Sequence, residues 1–255
     1  MYPASQRSKQ LTLEDDFSIT RKSKRNETLD QKDIFKAIHR SQHCQRNWDL
    51  EQSIPEQDID LILESVTQCP SKQNQSFYKV HVLSDRDIIE QVHAKTQGFG
   101  LSDGTVTTNA QTLANMVLVF ESNMTQDQII TAYANRLITQ HGASIEDMKN
   151  TDWSNHDFDQ SILESCKNEL AKDEHMAVGL AAGYCNVTAS LLGYSTGCCA
   201  CFNPQDIQNV LGLAGAPLLI MGVGIAGSQN RRVHHLDNTI KFPTKSKETI
   251  EVIYH

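Results

Sequence analysis

The chain of 255 residues predicts an α+β fold in which one mixed sheet is flanked by helices. Helix-period segments come first, compact apolar runs of strand length follow, and one long, largely apolar helix separates the strands. With 39% hydrophobic and 21% charged residues the composition is that of ordinary globular protein, and the length suffices for a sizeable core.

The elements follow in order. Residues 1–30 are rich in Lys, Arg, Ser and Gln without sustained period and predict a polar, flexible tail; residues 31–255 predict a single domain. Asp33-Ile34-Phe35-Lys36-Ala37-Ile38 places apolar residues on one face of a short helix running into His39-Arg40-Ser41. Ser53-Ile54-Pro55-Glu56 opens the next helix, with Ser53 as its cap, Pro55 in its first turn, and Ile59, Ile62, Leu63 and Val66 as its buried stripe. Pro70 stops it, because the residue before a proline is pushed out of the helical region. Residues 77–83 alternate as a strand does, and 115–121 and 216–223 are apolar runs expected of buried central strands. Residues 122–160 read as a polar insertion with helical stretches. Residues 173–192 are apolar nearly all round, which requires burial in a core or a subunit interface. Residues 249–254 alternate again in the manner of a strand.

Net charge of −8 excludes a general nucleic-acid or anionic-membrane binder, which needs a basic surface. No apolar run approaches the roughly 18 residues of a membrane span, and the first 25 residues lack the apolar stretch of a secretory signal, so a cytoplasmic location is expected. The seven cysteines, an odd number, predict reduced thiols. Cys198, Cys199 and Cys201 have no second matching pair, so no metal site is expected.

Two segments carry the chemistry: His39-Arg40-Ser41-Gln42-His43 and Pro70-Ser71-Lys72-Gln73-Asn74-Gln75. Each follows a helix-like stretch and ends where the chain turns, so backbone N–H groups, hydroxyls and cationic side chains are expected to converge on an anion and a polar ring. Further on, residues 174–192 lead into Gly193-Tyr194-Ser195-Thr196-Gly197-Cys198, and Asn203-Pro204 opens a helical stretch that precedes the last apolar run.

In this order the motifs resemble the nitroreductase-like family of FMN-dependent oxidoreductases, over roughly residues 31–235. The resemblance implies an intertwined homodimer with the long apolar helix at the subunit interface, a C-terminal segment reaching across to the partner, and two FMN sites at that interface. It implies that Arg40 and Ser41 hold the FMN phosphate or ribityl chain with His39 and His43 assisting, and that Asn74 meets the polar edge of the ring with Pro70, Ser71 and Lys72 in its loop. Asn109 and Gln111 would reach the pyrimidine side. Ser195, Thr196 and Gly197 would form a turn over the ring, and Arg231 and Arg232 would close over the phosphate. The flavin carries the chemistry, so no catalytic side chain is implied. Hydride would come from NADH or NADPH and pass to a small electron-poor acceptor such as a nitroaromatic or quinone. The first motif departs from the family's arginine-flanked serine, having histidines at 39 and 43. A flavin-binding protein of the same fold with weak or no reductase activity is the alternative.

Gly222-Val223-Gly224-Ile225-Ala226-Gly227 matches a dinucleotide fingerprint formally, but only 28 residues follow and residues 228–235 are nearly devoid of apolar side chains. A glycine-rich exit from a buried strand accounts for it.

Overall fold

The computed structural model describes residues 30–100, 106–227 and 250–253. The tail expected at 1–30, except Asp30, and the pair Arg231 and Arg232 lie outside the described residues.

Helix α1 (Gln31–Ser41) begins at Asp30, whose carboxylate accepts from the Lys32 N–H. Helix α2 is Glu56–Thr67. Its N-cap is Pro55, and no side chain caps it. Ser53 therefore does not serve as the expected cap: proline, with its preset φ, stands directly before the first helical residue and puts Ser53 two positions too far upstream. Strand β1 (Tyr78–Leu83) and helix α3 (Arg86–His93) follow; Asp85 caps α3 by accepting from the N–H groups of Asp87 and Ile88. A short antiparallel pair, β2 (Phe99–Gly100) with β3 (Val106–Thr107), leads to a 3-10 turn at Ala110–Leu113 and strand β4 (Met116–Ser122).

Residues 122–160, expected as a polar insertion, hold helix α4 (Gln126–His141), opened by a Thr125–Gln128 capping box, and the short helix α5 (Ile145–Asn150). Helix α6 (Gln160–Leu191) has 32 residues, about 48 Å at the α-helical rise. It starts 13 residues before the predicted boundary, capped by Asp159, because its first turns are polar on the outside and bury only Cys166 and Leu170. Strand β5 (Ser195–Cys199), helix α7 (Pro204–Leu211) and strand β6 (Pro217–Gly224) complete the core. Residues 250–253 are in no strand.

The main sheet has the order β1-β4-β6-β5, and every pairing among the described residues is antiparallel. The mixed sheet expected from sequence thus has no parallel pair here. The apolar runs are buried central strands, as expected, and their cause is coverage of both sheet faces. Met116, Leu118 and Phe120 of β4 with Met221 and Val223 of β6 pack toward Ile62 and Val66 of α2 and Val178, Ala181 and Cys185 of α6. The alternate residues Val117, Val119 and Ile220 pack toward Ile89 and Val92 of α3 and Ile207 of α7. With two helical layers, neither face of β4 keeps the polar alternation of a half-exposed strand.

Helix α6 has two apolar faces. One is internal; the other presents Met176, Leu180, Tyr184, Val187 and Leu191, each at least 40% exposed. On α1, Ile34, Phe35 and Ile38 are exposed as well. Among the described residues no helix is long and apolar enough to cross a membrane.

Candidate functional site

The first motif sits at the C-terminus of α1, where a helix leaves carbonyls unsatisfied. The backbone N–H groups expected there are consequently not what the motif offers: side chains of α6 occupy the carbonyls. Ser190 Oγ donates to Ala37 O at 2.9 Å and Asn186 Nδ2 donates to Ser41 O at 2.8 Å. In return Arg40 Nη1 donates to Ser190 O, in the last turn of α6, at 3.2 Å. Arg40 is exposed and its guanidinium carries five N–H donors, so one bond anchors it while most of its donor capacity faces outward. The Ser41 hydroxyl donates to Ile38 O at 2.8 Å, which leaves its oxygen as an acceptor. His39 is exposed, its ring 4.2 Å from that of Phe35, and His43 is exposed.

From His43 the chain runs along the start of β5 and the end of β6. Gln45 N–H donates to Thr196 O at 2.7 Å, and Asp49 N–H to Ile225 O at 2.8 Å. Ser195, Thr196 and Gly197 were expected in a turn. They form β5, paired with Gly224, Val223 and Gly222 of β6, because Thr and the following cysteines fit the pleat and find a complete ladder partner. The Thr196 hydroxyl is hydrogen-bonded to the Asn186 amide oxygen. A Cβ on Gly197 would lie 2.6 Å from both Gln111 Cβ and Gln45 O, so this glycine lets the 3-10 turn dock on β5.

Gln111 and Asn109, in the polar stretch before β4, are 3% and 2% exposed. The Asn109 amide donates to Gln97 O at 2.5 Å, so its N–H groups are spent inside the protein. Gln111 Nε2 faces two acceptors, Asn109 Oδ1 and Cys198 O, both at 3.3 Å. Its Oε1 is buried, and among the described residues nothing donates to it. An orphaned buried acceptor costs about 1–3 kcal/mol, which a ligand N–H would recover. Gly222 and Gly224, the supposed fingerprint glycines, lie in β6. A Cβ at Gly222 would stand 2.0 Å from Gln111 O, and one at Gly224 2.1 Å from Asn115 Oδ1. They serve close packing of the turn.

The second motif is elsewhere. Pro70 and Ser71 lead into a 3-10 turn, Lys72–Asn74, closed by Ser71 Oγ donating to Gln75 O at 2.7 Å. Gln73 and Asn74 take φ of 55° and 53°. Asparagine tolerates this left-handed region, whereas glutamine in it is strained, by about 1–3 kcal/mol. Lys72 Nζ lies 2.6 Å from Asp173 Oδ2, and Gln128 of α4 donates to Gln75 Oε1 at 3.4 Å, so α4 and α6 together hold the loop. Asn74 is exposed.

The two motifs meet α6 at different places: the first at Asn186 and Ser190, the second at Asp173. Thirteen to seventeen residues of helix separate these contacts by about 20–25 Å. One chain therefore joins Arg40, Ser41, His43, Thr196, Gly197 and Gln111 into one region, and leaves Pro70, Ser71, Lys72 and Asn74 outside it. Asn186, Ser190 and Gln45 were missed from sequence. The signal was present for two of them: Asn186 and Ser190 are polar residues on a helix otherwise read as apolar all round.

Cys185 and Cys198 thiols are pushed up to about 12 chiefly by burial, and Cys199 to about 11, so all three are protonated and inert at neutral pH. Among the described residues no group of three or more His, Cys, Asp or Glu side chains is placed to hold a metal ion.

The nitroreductase family profile matches residues 39–225, about three quarters of the chain. Among solved structures, a candidate NAD(P)H:FMN oxidoreductase from Staphylococcus epidermidis is 18% identical, with TM-score 0.52 over 82% of this chain and 95% of that one. A candidate nitroreductase from Exiguobacterium sibiricum, solved in complex with FMN, is 16% identical, with TM-score 0.50 over 80% and 94%. A candidate nitroreductase from Bacillus subtilis is 14% identical, with TM-score 0.54 over 87% and 100%. No functionally curated protein matches significantly. At these identities the solved structures establish the fold, and with the profile spanning most of the described core, from the first motif to the end of β6, the chain belongs to the nitroreductase family.

Proposed function

We propose that the protein is an FMN-dependent oxidoreductase that works as a homodimer, taking hydride from NADH or NADPH and reducing a small electron-poor acceptor such as a nitroaromatic or quinone. Bound FMN supplies the redox chemistry by accepting a hydride and passing it on. The chain's own residues bind and orient it. Arg40 offers outward guanidinium donors that match a phosphate, and Gln111 Oε1 offers a buried acceptor suited to a ring N–H. The observation that carries the reading is this pair: an anchored, exposed arginine and an orphaned buried amide oxygen, in the region joined by the Gln45–Thr196 contact.

The dimer is supported by the separation of the two motifs along α6. A two-fold axis crossing α6 midway between Gly179 and Gly183 would set residue 173 of one copy opposite residue 189 of the other, since isologous contacts pair positions symmetrically about the axis. The Pro70, Ser71, Lys72 and Asn74 loop of one copy would then stand beside the Arg40 motif of its partner. Nothing lies within 4 Å of a Cβ built on Gly179 or Gly183, and the flanking apolar stripe is the surface such a contact would bury.

Steady-state oxidation of NADH and NADPH tests the proposal. It is expected to require both added FMN and a quinone or nitroaromatic. Bound FMN that neither nucleotide reduces would contradict it and favour a flavin-binding protein without reductase activity.

A further inference from the structure

Helix α3 packs against the 3-10 turn that carries Gln111, and none of its residues belongs to the motifs discussed so far. Two of its side chains hold that turn at both ends. Arg86 Nη1 donates to Leu113 O at 3.1 Å and Ala114 O at 3.2 Å, closing the turn's C-terminal carbonyls. At the other end His93 Nδ1 lies 2.9 Å from Thr112 Oγ1. The buried Thr112 hydroxyl donates to Asn109 O at 2.9 Å, as does the Thr112 backbone N–H, also at 2.9 Å. Since the hydroxyl proton goes to Asn109 O, its oxygen must accept, and His93 must carry its proton on Nδ1.

We infer that His93 is a positioning residue for the site: its Nδ1–H to Thr112 fixes the Asn109 turn and thereby aims Gln111 Oε1. The inference rests on the flavin reading proposed above. A relay of short bonds runs from α3 through Thr112 and Asn109 to Gln111, whose Nε2 is held by Asn109 Oδ1. Gln111 has no freedom on its other sides, since it abuts Gly197 and Gly222 where even a methyl group would collide. Trp48 Nε1 donates to Ala110 O at 2.8 Å at the turn's start, and α3 holds the turn through Thr112, Leu113 and Ala114. Burial lowers the pKa of His93 from its ordinary value, against the Asn109 backbone hydrogen bond that raises it, and so favours the neutral ring.

The test compares wild type with Thr112→Val, Thr112→Ser, His93→Leu and His93→Asn. Serine keeps the hydroxyl, and asparagine places an N–H close to the Nδ1 position. The readouts are FMN affinity by fluorescence titration, the visible spectrum of bound FMN, and hydrogen exchange of the backbone amide at position 112 in protein without FMN. Thr112→Val and His93→Leu are expected to raise the Kd roughly five- to tenfold, the worth of one neutral hydrogen bond, to shift the flavin band and to speed amide exchange. Thr112→Ser and His93→Asn are expected to restore all three readouts toward wild type. Should His93→Leu fail to fold, Thr112→Val breaks the same bond from its better-tolerated side. Wild-type affinity, spectrum and exchange in Thr112→Val would overturn the inference while leaving the flavin reading intact. Failure of wild type to bind FMN would overturn the flavin reading, and the exchange rates would still decide whether His93 holds the turn.

Discussion

Arg40 and His43 flank Ser41 but differ in what they can give an anion. Arginine stays charged at every relevant pH and reaches a phosphate through two parallel hydrogen bonds, whereas neutral imidazole gives one uncharged donor. At pH 8 Arg40→Ala is expected to raise the FMN Kd about tenfold to a hundredfold, and His43→Ala about fivefold or less, by fluorescence titration. Equal affinity of Arg40→Ala and wild type would place the phosphate elsewhere. At the far end of β4, Glu121 is buried among β1 and the turn before β6. Its carboxylate accepts from Gly215 N–H at 2.5 Å, lies 2.5 Å from His81 Nε2, and has Lys79 Nζ at 3.9 Å. Burial alone would raise its pKa; the Gly215 N–H, His81 and Lys79 outweigh that and hold it below the ordinary 4.5. A carboxylate with a depressed folded-state pKa adds stability that is present above its unfolded pKa and lost as pH falls through the folded one. Glu121→Gln is therefore expected to cost about 1.5–3 kcal/mol in urea unfolding at pH 7. The difference from wild type should shrink as pH drops below 4.5. A constant difference across that range would mean that the ionised carboxylate is not what holds Gly215. At this scale the sequence showed Arg40 and Ser41 as a cluster. It could not show that Ser190 and Asn186, about 150 positions away, anchor them, nor that Asn109 is consumed internally, because those partners are set by tertiary packing.

Among the elements, α6 decides most. Its internal face holds Cys166, Leu170, Ala177, Val178, Ala181 and Cys185, and its outer face leaves Met176, Leu180, Tyr184, Val187 and Leu191 to be covered. Leu180→Glu is expected to convert the proposed dimer to a monomer in sedimentation at micromolar concentration, because a carboxylate cannot be buried unpaired at a closed two-fold contact. It should leave the chain's own unfolding transition nearly unchanged, since Leu180 is 42% exposed in the single chain. A dimer that survives Leu180→Glu would move the interface off this helix. The apolar character of residues 173–192 was legible from period and composition, and so were α1, α2 and the cores of β1, β4 and β6. Less legible were features that depend on neighbours. The polar first turns of α6 show no apolar face of their own, the segment at 195–197 becomes a strand only because β6 offers a ladder, and strand direction leaves no trace in an apolar run covered on both sides.

For the whole molecule, the two motifs touch one long helix at different places, so in a single chain the Arg40 region and the Pro70 loop do not meet. The nitroreductase fold, the exposed stripe of α6 and the distance between the motifs lead to one account: two copies make two complete sites, each binding one FMN. Sedimentation velocity of protein mixed with FMN, followed at the flavin's visible band, tests this most directly. The account predicts that flavin absorbance sediments with a species of twice the chain's mass, at one FMN per chain, and that Leu180→Glu abolishes that boundary. Flavin sedimenting with a monomer, or remaining free while the protein sediments as a dimer, would contradict it.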